Sequence, residues 1–134
     1  MEYRVCRNNP APYNDLNGKI SLLGLGTMRL PLRDAADQTS IDEEKAQEIF
    51  DYAYAHGVNY FDTAYPYHGG MSEKFCGKAL AKYPRASYHL ASKLPGWLLK
   101  CDEDVPRIFN EQLANCCTDY FDFYLVHSVH ESSW

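Results

Sequence analysis

A regular alternation of short apolar runs with amphipathic segments constrains the fold of this chain more than any other feature. Apolar runs bounded by turn residues predict strands over 19–26, 58–61, 88–93 and 121–127. Apolar residues at helical spacing predict helices between them, over 40–57, 72–83 and 102–117. Helices of this length between successive strands imply parallel strands joined by right-handed crossovers. The predicted fold class is therefore α/β with a parallel sheet.

The ends of the first predicted helix carry their own signals. Ser40 and Glu43 have the spacing of a capping box, which predicts that Ser40 caps the helix. Gly57 follows the last apolar position and is suited to end the helix, because glycine readily adopts the left-handed conformation common there. These signals predict a helix that begins after Ser40 and ends before Gly57.

Two parallel architectures, an open doubly wound sheet and a barrel, fit this alternation. An open sheet that binds a dinucleotide carries the pattern G-x-G-x-x-G after its first strand. Here the turn reads GLGTMRLP, with Gly24 and Gly26 in place but Arg29 where the third glycine is needed. A barrel instead places its functional groups at the carboxyl ends of its strands. Because this chain does the same, we predict a parallel TIM-barrel type of sheet.

Four polar side chains stand at or just beyond the predicted strand ends. Asp62, Lys93 and His127 stand at the ends of the second, third and fourth strands, and Tyr67 lies in the loop after the second. Neighbouring strands are about 5 Å apart, so these ends converge. A lysine ammonium beside a tyrosine stabilises the phenolate, a carboxylate holds the ammonium charged, and an imidazole can hydrogen-bond a substrate oxygen. Such a proton donor suits a carbonyl that becomes an alkoxide, with a nicotinamide as the simplest hydride source.

Other residues near these strand ends have two open interpretations each. His68 either contacts substrate or is a polar loop residue. Trp97 either forms a wall of the substrate pocket or covers the edge of the barrel. One interpretation of residues 26–28, at the end of the first strand, is a tight, well-packed turn.

Several segments together resemble the aldo-keto reductase superfamily. NYFDTAYPYHGG, followed by SEKFCGKAL, resembles the D-T-A-x-x-Y segment and the helix after it in that family. LASK and DYFDFYLVHS resemble the strands that carry the family's catalytic lysine and histidine. The resemblance covers nearly the whole chain from LGLGTMRLP onward, and TAYPYHGG is most similar to bacterial members with a C-terminal iron–sulfur domain. It implies an eight-stranded (β/α) barrel that reduces aldehydes and ketones with NADP(H).

The resemblance also implies roles for individual residues. Tyr67 matches the general acid and base, Lys93 and Asp62 match the residues that tune it, and His127 matches the residue that orients the carbonyl. The cofactor contacts that it implies are Gly26, Thr27, Met28 and Asp62. The implied cofactor is NADP(H), and the implied partner is a small-molecule carbonyl substrate.

The length of the chain departs from the family pattern. A complete barrel of this type needs about 250 residues, whereas this chain has 134 and supplies four βα units. We therefore expect residues 1–134 to be a truncated N-terminal part of the reductase domain. A half barrel exposes two strand edges, so a homodimer that closes them is a second expectation. The alternatives are a non-catalytic interaction module or decayed remnant, and, less favoured, a metal-dependent hydrolase that uses Asp62, His68 and His127.

Charge and composition argue against other classes of protein. The net charge is -5 and no basic stripe is present, which argues against nucleic-acid binding. No apolar run is long enough to span a bilayer and the N-terminus has no apolar signal core, so we expect a cytoplasmic protein. The five cysteines form no C-x-x-C pair, which predicts reduced thiols and no metal site.

Overall fold

A computed structural model describes residues 3–5 and 19–131 of the chain. Its strands are β1 (Tyr3–Val5), β2 (Lys19–Ser21), β3 (Leu25–Gly26), β4 (Tyr60–Asp62), β5 (His89–Leu94) and β6 (Phe123–Val126). Its α-helices are α1 (Glu43–Ala55), α2 (Met71–Leu80) and α3 (Asp104–Asn115). Short 3₁₀ turns span Tyr67–Gly70, Arg85–Ser87 and Gly96–Leu98.

The main sheet has four parallel strands in the order β3-β4-β5-β6, each joined to the next through one of the three helices. The register pairs Gly26 with Asp62, Asp62 with Ala91, and Lys93 with Leu125. Sequential parallel strands with crossover helices are the arrangement of a partial (β/α) barrel, so the predicted fold class is confirmed. The carboxyl ends of all four strands meet at one edge of the sheet.

The first predicted strand, 19–26, is wrong in its extent, because this segment forms two strands with different partners. Lys19–Ser21 pairs antiparallel with Tyr3–Val5, and only Leu25–Gly26 joins the parallel sheet. Asn59, just before β4, accepts from the Ser21 backbone N–H at 2.8 Å and donates to the carbonyl oxygen of Lys19 at 3.2 Å. The antiparallel pair of strands is thereby held at the amino-terminal end of β4, on the side opposite the predicted site.

The cap of the first helix is also corrected. Asp42, and not Ser40, is the N-cap, and its carboxylate accepts a hydrogen bond from the Lys45 backbone N–H. The Ser40 hydroxyl contacts the carbonyl oxygens of Asp34 and Asp37 instead, at 3.0 and 2.7 Å. The serine is used by the loop before the helix, which leaves the nearer aspartate to cap it.

The hydrophobic core lies between the sheet and its helices. Phe50 of α1 stacks on Phe61 of β4 with ring centroids 5.3 Å apart, and the Phe75 ring of α2 meets Phe50 edge-on at 5.4 Å. Successive side chains of a strand point to opposite faces. Because Phe61 faces the helices, its neighbour Asp62 is turned to the opposite face of the sheet, toward the interior of the barrel.

Candidate active site

The side chains of Asp62 and Lys93 form an ion pair at the carboxyl ends of β4 and β5. Lys93 Nζ lies 2.7 Å from Asp62 Oδ1 and donates to the carbonyl oxygen of Thr63, also at 2.7 Å. The lysine side chain is 13% exposed and the aspartate side chain 28%. Two short charge-assisted contacts in a mostly buried place hold the ammonium in a defined position.

Two aromatic rings complete the group at this edge. The Lys93 ammonium lies over the Tyr67 ring, 4.9 Å from its centroid. The Tyr67 and His127 rings meet edge to face at 5.7 Å, and the Trp97 ring meets His127 at 5.1 Å. The structure thus brings Asp62, Tyr67, Lys93 and His127 into one cluster, as the strand-end pattern predicted.

Trp97 and His127 also line a largely apolar cavity at this edge of the sheet, together with Gly96, Leu99, Val126 and Val129. The Trp97 side chain is 54% exposed and stands beside the imidazole. Between the two interpretations that the sequence left open, this position favours a wall of the pocket over a cover for the barrel edge.

The segment that carries Tyr67 is anchored by its neighbour His68, which is buried. His68 Nε2 accepts from the Leu30 backbone N–H at 3.1 Å, and Nδ1 lies 3.0 Å from the carbonyl oxygen of Gln38. His68 has a φ of 53° and Gly69 a φ of 60°, so both adopt left-handed backbone conformations. The imidazole is engaged with the loop before α1, which makes His68 a structural anchor and not a substrate contact.

The environment of His127 favours its neutral form. Burial lowers the pKa of His127 below its ordinary value of 6.5, the Lys93 ammonium lowers it further, and the Asp62 carboxylate opposes them. His127 Nδ1 is buried and has no hydrogen-bond partner among the described residues. The backbone N–H of His127 donates to the carbonyl oxygen of Leu94 at 2.9 Å, which fixes the backbone of His127 beside β5.

Among the predicted cofactor contacts at residues 26–28, two are exposed to solvent and one is buried. Gly26 and Met28 are exposed, and no atom lies within 4 Å of a Cβ placed on Gly26. Thr27 is fully buried, and both its backbone N–H and its hydroxyl donate to the carbonyl oxygen of Asp62, at 2.9 and 3.0 Å. The backbone N–H and the hydroxyl of Thr27 are thus already used within the fold, as in a well-packed turn, and a cofactor contact from Thr27 stays a prediction.

Three buried polar residues that sequence reasoning missed lie directly beneath the cluster. Ser72, Glu73 and Gln112 have no exposed surface. Glu73 lies three residues before Cys76, so it shares the apolar face of the predicted helix 72–83. An acid on the core face of a helix is the signal in the sequence that identifies it.

The arrangement does not suit the metal-dependent hydrolase that used Asp62, His68 and His127. Both nitrogens of His68 face backbone groups of the loop before α1. Across the described part of the chain, no group of three or more histidine, cysteine, aspartate or glutamate side chains is arranged to hold a metal ion. Within residues 3–5 and 19–131, no helix combines the length and apolarity needed to cross a membrane.

Comparison with curated proteins finds oxidoreductases. The chain is 32% identical to L-galactose dehydrogenase of Arabidopsis thaliana over 117 residues, which cover 83% of this chain and 35% of that protein. It is 31% identical to Protein tas of Escherichia coli in an alignment of 135 positions that covers 87% of this chain and 36% of that protein. The chain thus spans about a third of the length of these relatives.

Solved structures and a family model were also found to be similar to this chain. The thermostable aldo-keto reductase Tm1743, in complex with the inhibitor epalrestat, has a TM-score of 0.73 at 28% identity over 98% of this chain and 44% of that one. An aldo-keto reductase from Klebsiella pneumoniae in complex with NADPH has a TM-score of 0.66 at 27% identity, over 84% and 37%. The likeness to members with an iron–sulfur domain stays a prediction. Residues 22–133 match the model of the aldo/keto reductase family, and this chain belongs to that family.

Proposed function

We propose that this chain supplies the catalytic residues of an NAD(P)H-dependent reductase that converts aldehydes or ketones to alcohols. One observation carries the proposal. The Lys93 ammonium is held by Asp62 and Thr63 beneath the face of Tyr67, and His127 stands against the same tyrosine ring. This group combines a phenol, a fixed cation and an imidazole at one strand edge, which is what protonation of a carbonyl oxygen requires.

Each residue of the cluster has a distinct task in this proposal. Tyr67 gives its phenolic proton to the carbonyl oxygen as the carbon is reduced, and the phenolate that remains is stabilised by the Lys93 ammonium. Asp62 holds that ammonium in place. His127, held neutral, donates a hydrogen bond from the ring nitrogen other than its buried Nδ1 and so orients the carbonyl. The carbonyl compound becomes an alcohol, and solvent returns a proton to Tyr67.

A nicotinamide cofactor fits the residues beside Asp62. Gly26 pairs with Asp62 in the sheet and faces open space, so a flat ring can approach the backbone there. Met28 is 57% exposed next to it and offers an apolar contact. Bound in its reduced form, the cofactor would supply the hydride that the carbonyl carbon accepts. NADP(H) is the preferred form, supported by the relatives from Klebsiella pneumoniae in complex with NADPH and with NADP.

The test is a fluorescence titration of the 134-residue chain with NADPH, followed by reduction of a panel of small aldehydes. We expect saturable binding in the wild type and in Tyr67→Phe, and aldehyde reduction in the wild type only. Binding without reduction in either protein would favour the non-catalytic interaction module. Absence of binding would mean that residues 1–134 alone do not form the cofactor site and act only as a part of the reductase domain.

The exposed edge of the sheet supports two further parts of the proposal. Leu125 and Val126 of β6, the edge strand, are apolar and yet 42% and 60% exposed. Residues 1–134 act as the N-terminal part of a reductase domain, in keeping with their share of the relatives' length. The alternative cover for this edge is a second copy of the chain. We propose the cytoplasm as the location of the protein. Light scattering that finds only monomer would contradict the homodimer.

A further inference from the structure

The first turn of α2 buries two consecutive polar side chains, Ser72 and Glu73, neither of which has any exposed surface. Positions that face a core are normally apolar, and a buried carboxylate is stable only when its oxygens accept hydrogen bonds. The partners of these two residues divide between the two sides of the ion pair. Ser72 contacts residues just after β3 and β4, and β4 is the strand that carries Asp62. Glu73 contacts β5, the strand that carries Lys93.

The contacts of Ser72 form a line of hydroxyl groups behind Asp62. Ser72 Oγ lies 2.7 Å from Thr27 Oγ1 and 3.0 Å from Thr63 Oγ1. Thr27 Oγ1 donates to the carbonyl oxygen of Asp62 at 3.0 Å. All three contacts are satisfied when Thr63 donates to Ser72 and Ser72 donates to Thr27. The carbonyl oxygen of Thr63 also accepts from the Lys93 ammonium. The line of hydroxyl groups therefore holds two backbone positions beside the ion pair, Asp62 and Thr63.

The contacts of Glu73 reach the backbone of Lys93. Glu73 Oε1 accepts from Ser92 Oγ at 2.7 Å and from Gln112 Nε2 at 2.6 Å, and Oε2 accepts from Asn115 Nδ2 at 3.2 Å. The same Gln112 nitrogen lies 3.1 Å from the carbonyl oxygen of Lys93. A single carboxylate on α2 therefore contacts β5 at Ser92 and α3 at Gln112, and Gln112 in turn contacts the backbone of Lys93.

We infer that Ser72 and Glu73 are positioning residues that set the distance between Asp62 and Lys93, and so prepare the pair that acts on Tyr67. The inference rests on the function proposed above. Neither residue touches the space where substrate would bind, so neither is catalytic. Apolar side chains of the same size would fill the core but would not specify how far β4 and β5 extend relative to one another. Directional hydrogen bonds do specify this, which explains why polar groups occupy these buried positions.

The exchange of the Lys93 ammonium protons with water measures this positioning directly. Exchange is slowed while Asp62 and Thr63 hold two of the three ammonium protons, and it accelerates when these contacts open. The chain is labelled with ¹⁵N-lysine, and the Nζ signal is assigned by its loss in Lys93→Arg. One buried hydrogen bond contributes about fivefold to such an opening equilibrium. We expect Ser72→Ala and Glu73→Gln each to accelerate the exchange about fivefold or more.

Ser87→Ala is the matched control. Ser87 Oγ also makes two contacts, with Tyr54 OH at 2.8 Å and with the carbonyl oxygen of Pro84 at 2.6 Å, but these lie away from the strand ends of the cluster. This variant also loses two hydrogen bonds, although in a less buried place, and should leave the exchange of the Lys93 protons unchanged. Ser92→Ala gives a second, milder loss on the Glu73 side and replaces Glu73→Gln if that variant does not fold.

Two results would overturn the inference. One is unchanged exchange in folded Ser72→Ala and in the folded Glu73-side variant. The other is equal acceleration in Ser87→Ala, because the effect would then be one of general stability. The readout needs neither cofactor nor turnover. If the Tyr67 test fails while the exchange responds as expected, the proposed reductase function falls and the positioning by Ser72 and Glu73 stands.

Discussion

Lys93 Nζ lies 2.7 Å from Asp62 Oδ1, although the two residues are not opposite one another in the sheet. Asp62 pairs with Ala91, and Lys93 is two residues further along β5. A shift of two residues keeps the lysine on the same face as Ala91, and its long side chain reaches back to the carboxylate. A slip of one residue would turn the lysine to the helix side and break the pair. The register of β4 against β5 is therefore a condition for the site.

The titration of His127 should respond in opposite directions to its two charged neighbours. Lys93→Met removes the ammonium that lowers the pKa of His127, so we expect that pKa to rise. Asp62→Asn removes the carboxylate that raises it, so we expect a lower pKa. The measurement is an NMR titration of the His127 ring, assigned by the loss of its signal in His127→Gln.

Burial is the largest cause of the lowered pKa of His127. The wild type, Lys93→Met and Asp62→Asn all share this burial. Wild-type His127 should therefore titrate below its ordinary value of 6.5. Shifts of the same sign in both variants would mean that a change of structure, and not charge, controls the imidazole.

Tyr67→Phe should lower carbonyl reduction by about 10²–10⁴-fold, which is the usual contribution of a positioned proton donor. The phenylalanine ring keeps the cation–π contact with the Lys93 ammonium, so binding of NADPH and the unfolding free energy should change little. Steady-state rates with a small aldehyde and a parallel NADPH titration test both expectations. Equal rates in wild type and variant would remove Tyr67 from the chemistry.

The parts of the fold that depend on local pattern were predicted well. The parallel order of the strands follows from their alternation with helices, and the cluster follows from polar residues at consecutive strand ends. Asp62 and His127 needed no knowledge of distant contacts, because a strand end is visible in the sequence. The convergence of strand ends is then a property of any parallel sheet.

The parts that depend on distant partners were not predicted. Ser40 has the spacing of a cap, but loop contacts with Asp34 and Asp37 take its hydroxyl, and Asp42 caps instead. For Thr27 the sequence left a cofactor contact and a well-packed turn open, and in the structure its hydroxyl and backbone N–H donate to the backbone of Asp62. The hydroxyl of Ser40 could bond to the helix or to the loop, and that of Thr27 to a cofactor or to the backbone. Only the tertiary structure decides between such partners.

Asp51 should make the stability of the chain depend on acid pH. It accepts hydrogen bonds from Lys82, Tyr83 and Gln47, and these lower the pKa of Asp51 to about 2. A carboxyl whose pKa is lower in the folded state stabilises the fold above its unfolded pKa. That contribution is lost as pH falls from about 4 toward the folded value. Since the side chain is 41% exposed, screening limits the effect to about 1 kcal/mol.

Urea unfolding of wild type and Asp51→Asn at pH 6 and pH 3 measures this contribution. The variant should be less stable than wild type at pH 6, and the gap should narrow at pH 3. A gap of constant size would assign the loss to the geometry of the hydrogen bonds with Tyr83 and Gln47 and not to the charge.

Gly77 should be intolerant of any side chain, because α2 and α3 pack backbone to backbone there. A Cβ at Gly77 would lie 2.6 Å from the carbonyl carbon of Cys116 and 2.7 Å from the carbonyl oxygen of Asn115. Gly77→Ala raises helix propensity by about 0.5–1 kcal/mol, but the overpacking costs about 1–3 kcal/mol. We expect a net loss of unfolding free energy.

Gly96→Ala provides the control for Gly77→Ala, since no atom lies within 4 Å of a Cβ at Gly96. Chemical denaturation of both variants should show a lower midpoint only for Gly77→Ala. We expect Gly77→Ala also to push Asn115 away from Glu73, since Asn115 Nδ2 donates to Glu73 Oε2 at 3.2 Å in the wild type. Gly77→Ala should therefore also accelerate exchange of the Lys93 ammonium protons, while Gly96→Ala should not. Equal midpoints in the two variants would show that α3 moves aside at little cost, and the close approach of the helices would then not be what requires glycine.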